Sequence, residues 1–361
     1  MIPAKKIRVL VVDDSALARR AITDALNRDP EIEVVGGAID PYQAREKIME
    51  LEPDVITLDL EMPRMDGLTF LKILQEHHPI PVVVVSSLTQ AGSAKAMEAL
   101  QAGAIDVLGK PDGSRSIGEM ANILAYHVKG AARSRRRART PRAEKDTKPA
   151  ATSPSAVEPH KAFPPGKFSP RKIIVIGSST GGVEALRYLL PRLPAGLPPI
   201  VVVQHIPANF SRIMAQHLDE LCPFPVHEAK DGEELKSGSC VVAPGDFHLS
   251  LVSHGMGYKV RLVQSPPVHH CRPAVDVLFR SAAQLAGSHA TVVLLTGMGV
   301  DGAAGMKALQ ATGADTFAEA EESCIVFGMP QAAIKLGAAN HIVPLPKMAQ
   351  AILESLTEKI R

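Results

Sequence analysis

Tryptophan is absent from this sequence, and aromatic residues make up only 4% of it against 45% apolar residues. Any core must be filled by Val, Ile, Leu, Ala and Met, which favours α/β layers over an aromatic-rich β-sandwich. Cysteine is scarce: Cys222, Cys240, Cys271 and Cys324 are widely spaced and form no Cys-x-x-Cys pair. Reduced thiols are therefore expected. No stretch approaches the ~18 consecutive apolar residues of a membrane span, and the amino terminus carries no apolar signal-peptide core. These absences lead to the expectation of a cytoplasmic protein that does not insert directly into a membrane.

An excess of one charge is also lacking, the net charge being +2. The balance is uneven. Between Lys129 and Lys148 nine Lys and Arg residues are opposed only by Glu144 and Asp146, so the rest of the chain is net acidic. Proteins that coat nucleic acid usually carry their positive charge on a folded face, whereas this run is the least periodic part of the chain. No nucleic-acid partner is expected.

A length of 361 residues suggests two domains at about 150 residues each. In residues 1–128, buried strands Ile7–Val12, Val55–Leu58 and Val82–Val85 alternate with helical segments near Ser15–Asn27, Pro41–Leu51, Leu68–His78 and Ser93–Ala102. This rhythm predicts a parallel, doubly wound, flavodoxin-like sheet. Residues 129–170 are rich in Arg, Ala, Ser and Pro and read as a flexible linker. In residues 171–361 the rhythm resumes, with strands Ile173–Ile176, Ile200–Val203 and Val292–Leu295 and helices near Gly182–Leu190, Ser211–Leu221 and Val275–Ala286. Phe247–Val252 and Tyr258–Val263, flanking His254-Gly255-Met256-Gly257, read as a β-hairpin. The second unit is thus expected to be a larger, Rossmann-like α/β domain with a mixed sheet.

Asp13 and Asp14 follow one buried strand and Asp59 follows another. Ligands of a doubly wound sheet bind at the carboxyl ends of its strands, so these carboxylates can converge. Their repulsion calls for a hard divalent cation such as Mg²⁺. Ser86 and Lys110 end the next two strands and would flank the same pocket. With Leu58-Asp59-Leu60-Glu61-Met62-Pro63-Arg64-Met65-Asp66-Gly67, this set resembles the response-regulator receiver family over nearly all of residues 1–128. The resemblance implies phosphorylation of Asp59 by a histidine kinase, Mg²⁺ held by the Asp13, Asp14, Asp59 and Glu61 group, and Ser86 and Lys110 on the phosphoryl oxygens. One position departs from the family: Val107 stands where receivers usually carry an aromatic residue.

In the second domain Ile176-Gly177-Ser178-Ser179-Thr180-Gly181-Gly182 joins a strand to a helix. A dinucleotide loop would need G-x-G-x-x-G and a later acidic residue on the next strand, which instead ends in Gln204-His205. The turn also fits G-x-S-x-G, but the α/β-hydrolase order of Ser, acid, His is not kept. A serine hydroxyl needs a base and an acid to orient that base. His205 and Asp301, each after a buried strand, can supply them, and Gly297-Met298-Gly299 offers backbone N–H groups for an oxyanion.

The segments Gln204-His205-Ile206-Pro207, Ala243-Pro244-Gly245, His270-Cys271-Arg272-Pro273-Ala274-Val275-Asp276, Thr296-Gly297-Met298-Gly299 and Glu322-Ser323-Cys324 complete a second resemblance, over roughly Arg171–Ala351. It is to the catalytic domain of the chemotaxis protein-glutamate methylesterases. The resemblance implies Ser179 as nucleophile, His205 as base, Asp301 as orienting acid and Met298 N–H as oxyanion donor, with no metal in this domain. The implied substrates are glutamate γ-methyl esters on chemoreceptors, with glutamine deamidation as a neighbouring activity. A paralogue serving a pathway other than chemotaxis is the alternative. Arg272 is expected near the site rim, where it could steer an acidic receptor helix.

Overall fold

The structure is a computed structural model that describes residues 5–86, 89–110, 117–139, 162–164 and 167–358. The first domain runs β1 (Ile7–Val12), α1 (Ala16–Leu26), β2 (Ile32–Ala38), α2 (Pro41–Leu51), β3 (Val55–Leu58), α3 (Gly67–His77), β4 (Val82–Ser86), α4 (Gln90–Gln101), β5 (Asp106–Gly109) and α5 (Ile117–Arg139). All strands pair in parallel in the order β2-β1-β3-β4-β5, as the flavodoxin-like reading requires. Local chemistry sets the helix starts. Ser15, Asp40 and Asp66 accept backbone N–H groups from Ala18, Gln43 and Thr69, and Pro41 supplies the preset φ of a first helical residue.

Helix α5 is longer than the sequence suggests. The flexible segment was expected to start at Lys129, yet the helix continues to Arg139. Ala131 and Ala132 bury against the first domain beside Val128, and Lys129 Nζ pairs with Asp29 at 2.7 Å and Glu31 at 3.1 Å. Residues 140–161 of the expected linker lie outside the described residues.

The second domain runs β6 (Ile173–Ser178), α6 (Gly182–Leu189), β7 (Ile200–Gln204), α7 (Phe210–Leu221), β8 (Val226–Glu228), β9 (Cys240–Val242), β10 (His248–His254), β11 (Gly257–Val263), α8 (Val275–Leu285), β12 (Ala290–Leu294), α9 (Ala303–Ala311), β13 (Asp315–Glu319), α10 (Met329–Lys335), β14 (His341–Val343) and α11 (Leu345–Glu358). Seven strands form one sheet in the order β14-β13-β12-β6-β7-β9-β8, and every pairing in it is parallel. The expected mixed sheet is corrected here. The hairpin β10–β11 forms its own two-stranded sheet, His248 to Val263 through His254 to Gly257, with Glu234 bridging Lys259 of β11. Leu249, Leu251 and Val260 turn it onto Leu278 and Phe279 of α8, so burial draws it away from the sheet edge.

Strand order reverses between β12 and β6, which makes their carboxyl ends the natural site. The first domain covers this region: α4 lies against α7, and one apolar cluster contains both Met97 and Leu100 of α4 and Ile213 and Met214 of α7. Among the described residues no helix is long and apolar enough to cross a membrane.

Candidate active site

The turn after β6 is built so that only glycine fits. Gly181 has φ +78°, and a Cβ there would meet Ile325 Cβ at 2.6 Å. A Cβ on Gly182 would meet Gln204 Oε1 at 2.2 Å. Gln204 staples the two strand ends: its Oε1 accepts Ser178 Oγ–H at 2.6 Å, and its Nε2 donates to Ser179 O and His205 O, both at 2.9 Å. Ser179 N–H donates to Thr296 O at 3.0 Å. Three strand ends are thereby fixed to one another before any catalytic side chain is considered.

On this frame His205 stands between Ser179 and Asp301. Nδ1 lies 3.0 Å from Ser179 Oγ and Nε2 lies 2.8 Å from Asp301 Oδ2. Asp301 is buried and accepts further hydrogen bonds from the N–H groups of Val275 (2.7 Å), Asp276 (2.9 Å) and Gly302 (2.9 Å). Burial alone would raise its carboxyl, but the His205 hydrogen bond and charge, together with these amides, hold it below its ordinary range. Burial alone would likewise depress the His205 imidazole. The charge of the neighbouring Cys271 sulfur and the Asp301 bond outweigh that effect and push it up to about 10. Nδ1 is thus the ring nitrogen that faces the Ser179 hydroxyl.

The site is closed from above. Ser179 is only 1% exposed, because α5 of the first domain lies over it. The Tyr126 hydroxyl donates to Met298 O, and a Cβ on Gly299 would meet that hydroxyl at 3.2 Å. Burial first, then the charges of Cys271 and Asp301, push the Tyr126 phenol up, against a lowering contact with Ser179. One residue past Ser179, Thr180 Oγ1–H donates to Asp106 Oδ2 at 2.9 Å, and the same oxygen meets His127 Nδ1 at 2.6 Å. Gln101 Nε2 meets His217 Nδ1 at 3.2 Å on the α4–α7 side. Met298 N–H makes no hydrogen bond among the described residues.

In the first domain Asp13, Asp14 and Asp59 each bring a carboxylate oxygen within 4.8 Å of the others. Lys110 Nζ reaches Asp59 Oδ2 at 2.7 Å with hydrogen-bond geometry and Asp13 Oδ2 at 2.9 Å as an ion pair. Burial raises the Asp59 carboxyl despite Lys110, and Lys110, which burial would lower, is raised by bonds to Asp59 and Asp13. Among the described residues the buried Ser86 Oγ has no hydrogen-bond partner, and Asp13 Oδ2 has only its ion pair with Lys110. Three carboxylates against one ammonium, with unsatisfied oxygens, fit Mg²⁺ and an incoming phosphoryl group. Glu61 N–H donates to Asp59 Oδ1 at 3.2 Å, while its side chain is exposed and is not one of the three grouped carboxylates. Val107 is buried in the core.

Two family models divide the chain between them, the response regulator receiver domain over residues 9–122 and CheB methylesterase over residues 174–352. A protein-glutamate methylesterase/protein-glutamine glutaminase from Syntrophus aciditrophicus is 47% identical over 350 residues, spanning 96% of this chain and 98% of its own. The chain belongs to the protein-glutamate methylesterase/protein-glutamine glutaminase family. A relative from Bradyrhizobium diazoefficiens, named as the enzyme of a group 3 operon, is 46% identical over 97% of this chain and 96% of its own. The crystal structure of the Thermotoga maritima CheB methylesterase catalytic domain superposes with a TM-score of 0.50 at 43% identity, over 51% of this chain and 97% of that one.

In this methylesterase, reading the sequence missed Tyr126, His127, Asp106 and Thr180, which meet across the two domains. Only Tyr126 left a trace in the sequence, as one of four tyrosines in an aromatic-poor chain. Arg272 is not free to steer a partner. Its Nε lies 3.0 Å from Asp246 Oδ1 and its Nη1 donates to Ser265 O at 2.9 Å, which folds it inward as a loop brace.

Proposed function

We propose that residues 171–361 hydrolyse glutamate γ-methyl esters on chemoreceptors by a Ser-His-Asp mechanism, and that residues 1–128 are the receiver that gates them through phosphorylation of Asp59. The observation that carries the chemistry is the His205 ring between Ser179 Oγ and Asp301 Oδ2, at 3.0 and 2.8 Å. Ser179 Oγ attacks the ester carbonyl carbon as its proton passes to His205 Nδ1. Asp301 keeps the ring oriented and balances its charge, and Met298 N–H faces the oxyanion. Collapse returns the Nδ1 proton to the methoxy oxygen, and methanol leaves. Water, deprotonated by the same nitrogen, then frees Ser179 and the glutamate carboxylate. With glutamine the leaving group is ammonia and the remaining steps are the same.

The closed arrangement accounts for control. Tyr126 and the Asp106–Thr180 contact occupy the space a receptor helix needs, so hydrolysis requires α5 to withdraw. Asp59 takes the phosphoryl group from a histidine kinase, Lys110 and Ser86 meet its oxygens, and Asp13, Asp14 and Asp59 would hold Mg²⁺, which supplies charge neutralisation for that transfer. The enzyme works from the cytoplasmic side, reaching its membrane-bound substrates without inserting. The group 3 operon relative favours one variation, a receptor array serving a pathway other than chemotaxis, with the same chemistry.

Methanol release from methylated receptor membranes, with and without a small-molecule phosphodonor, tests the reading. Ser179→Ala should abolish release, and wild-type rates in that variant would rule the mechanism out.

A further inference from the structure

His205 Nδ1 is within reach of two acidic protons. Ser179 Oγ lies 3.0 Å away and Cys271 Sγ 3.3 Å away, while Nε2 is committed to Asp301. A neutral imidazole with its hydrogen on Nε2 offers one lone pair, at Nδ1, so hydroxyl and thiol compete for it. The competition is unequal. A free thiol ionises near ~8.5 and lower still beside a cationic ring, whereas a serine hydroxyl is a poor acid that depends on its base.

We propose that Cys271 is a positioning residue for the hydrolysis: its thiol gives its proton to His205 Nδ1 in the resting enzyme and holds the base as a thiolate–imidazolium pair, unable to accept the Ser179 proton. The inference rests on the roles of Ser179 and His205 given above. In the transfer the S–H bond breaks, an N–H bond forms at Nδ1, the electron pair stays on Sγ, and the net charge of the pair is unchanged. Chemistry at Ser179 needs the proton returned to Sγ or lost to solvent.

The surroundings suit this pair. Cys271 sits on a tight turn, with His269 and His270 both at positive φ and Val268 and Cys271 exchanging backbone hydrogen bonds at 3.0 and 2.9 Å. That turn aims the half-buried sulfur at the ring. The groups facing His205 are Ser179 from the β6–α6 turn, Asp301 from the β12–α9 turn, Cys271 from the loop before α8, and Tyr126 from α5. Behind them lie Asp106, which meets His127 and Thr180, His248, and Asp276, which meets His269.

The test uses full-length protein and has two arms. Iodoacetamide alkylation at Cys271, followed by mass spectrometry from pH 5 to 10, needs no substrate. An ion-paired thiolate keeps its rate well below pH 8, and His205→Gln should restore the steep rise of an ordinary thiol, about tenfold per unit below ~8.5. In the second arm, the acid limb of kcat/KM for methanol release should move to lower pH in both Cys271→Ala and Cys271→Ser, since neither side chain can leave an anion beside the ring. A purely structural cysteine would lower thermal stability and leave that limb in place. An ordinary-thiol alkylation profile in wild type, or an unmoved limb in both variants, overturns the proposal. A flat alkylation profile in a protein that releases no methanol would keep the thiolate pair and remove the esterase reading instead.

Discussion

The Tyr126 hydroxyl, on the last helix of the receiver, donates its hydrogen to the backbone carbonyl of Met298 in the other domain. The contact ties closure to a single removable group. Tyr126→Phe forfeits one buried hydrogen bond, worth about 1 kcal/mol, or roughly fivefold in the closed-to-open ratio. Methanol release without phosphodonor should rise by about that factor, and more in Tyr126→Ala. Unchanged basal rates in both variants would refute closure by Tyr126.

Asp301→Asn keeps the shape of the site and loses the charge. An amide can donate to Nε2, which would turn the lone pair away from Ser179's requirement and leave Nδ1 protonated. We expect kcat to fall by ~10²–10⁴ with little change in KM, measured on receptor membranes with saturating phosphodonor. A fall of less than about tenfold would remove Asp301 from the mechanism.

The two partners also set a pH window for stability. His205 is raised to about 10 from 6.5, so its contribution is complete below 6.5 and is lost as pH rises toward 10. Asp301 is lowered from 3.8, so its contribution is complete above 3.8 and is lost as pH falls through the lower folded value. Thermal unfolding should therefore peak between these limits and decline on both sides. Asp301→Asn should flatten both declines, and an unaltered profile in that variant would contradict the linkage.

Gly297→Ala probes the packing beneath the nucleophile. Its Cβ would lie 2.6 Å from Ser179 Cβ and 2.4 Å from Met329 Sδ, distances that force one of them to move. Overpacking of this kind costs ~1–3 kcal/mol, and displacement of Ser179 should lower kcat by ~10²-fold. Circular dichroism melts and single-turnover rates separate the two effects, and wild-type kinetics would show that the turn has room to yield.

Chelation of Mg²⁺ should abolish the increment produced by phosphodonor and leave basal methanol release intact, because the carboxylates of Asp13, Asp14 and Asp59 belong to the other domain. Asp59→Asn should behave like chelated wild type. Loss of basal activity on chelation would place a metal in the hydrolytic site.

Much of this was legible in the sequence, for reasons that differ from element to element. Strands such as Val82–Ser86 announce themselves as short apolar runs; Ser179 and His205 stand directly after one, and Asp301 lies in the Gly-rich turn that follows another. Strand β2 was overlooked because Gly36 and Gly37 interrupt its pattern and its middle is only half-buried. The end of α5 reads as linker in the sequence because basic residues surround Ala131 and Ala132, whose burial shows only against the folded domain. Tyr126 and Met298 lie 172 residues apart, and Thr180 and Asp106 lie 74 apart. Which side chains meet across two separately folding units is set by docking, and no local periodicity encodes it.

Strand β5 has a different burden at each end. Lys110, the residue after it, holds Asp59 and Asp13, while Asp106, its first residue, holds Thr180 next to the nucleophile. The separation is about 13 Å of extended backbone, hydrogen-bonded along its length to β4 and therefore stiff. A strand so placed could act as a connecting rod: charge added at Asp59 would pull on Lys110, and the paired strand would pass that pull to Asp106. From Lys110 to Asp106 such a path would be four residues long, much shorter than the covalent route between the two domains.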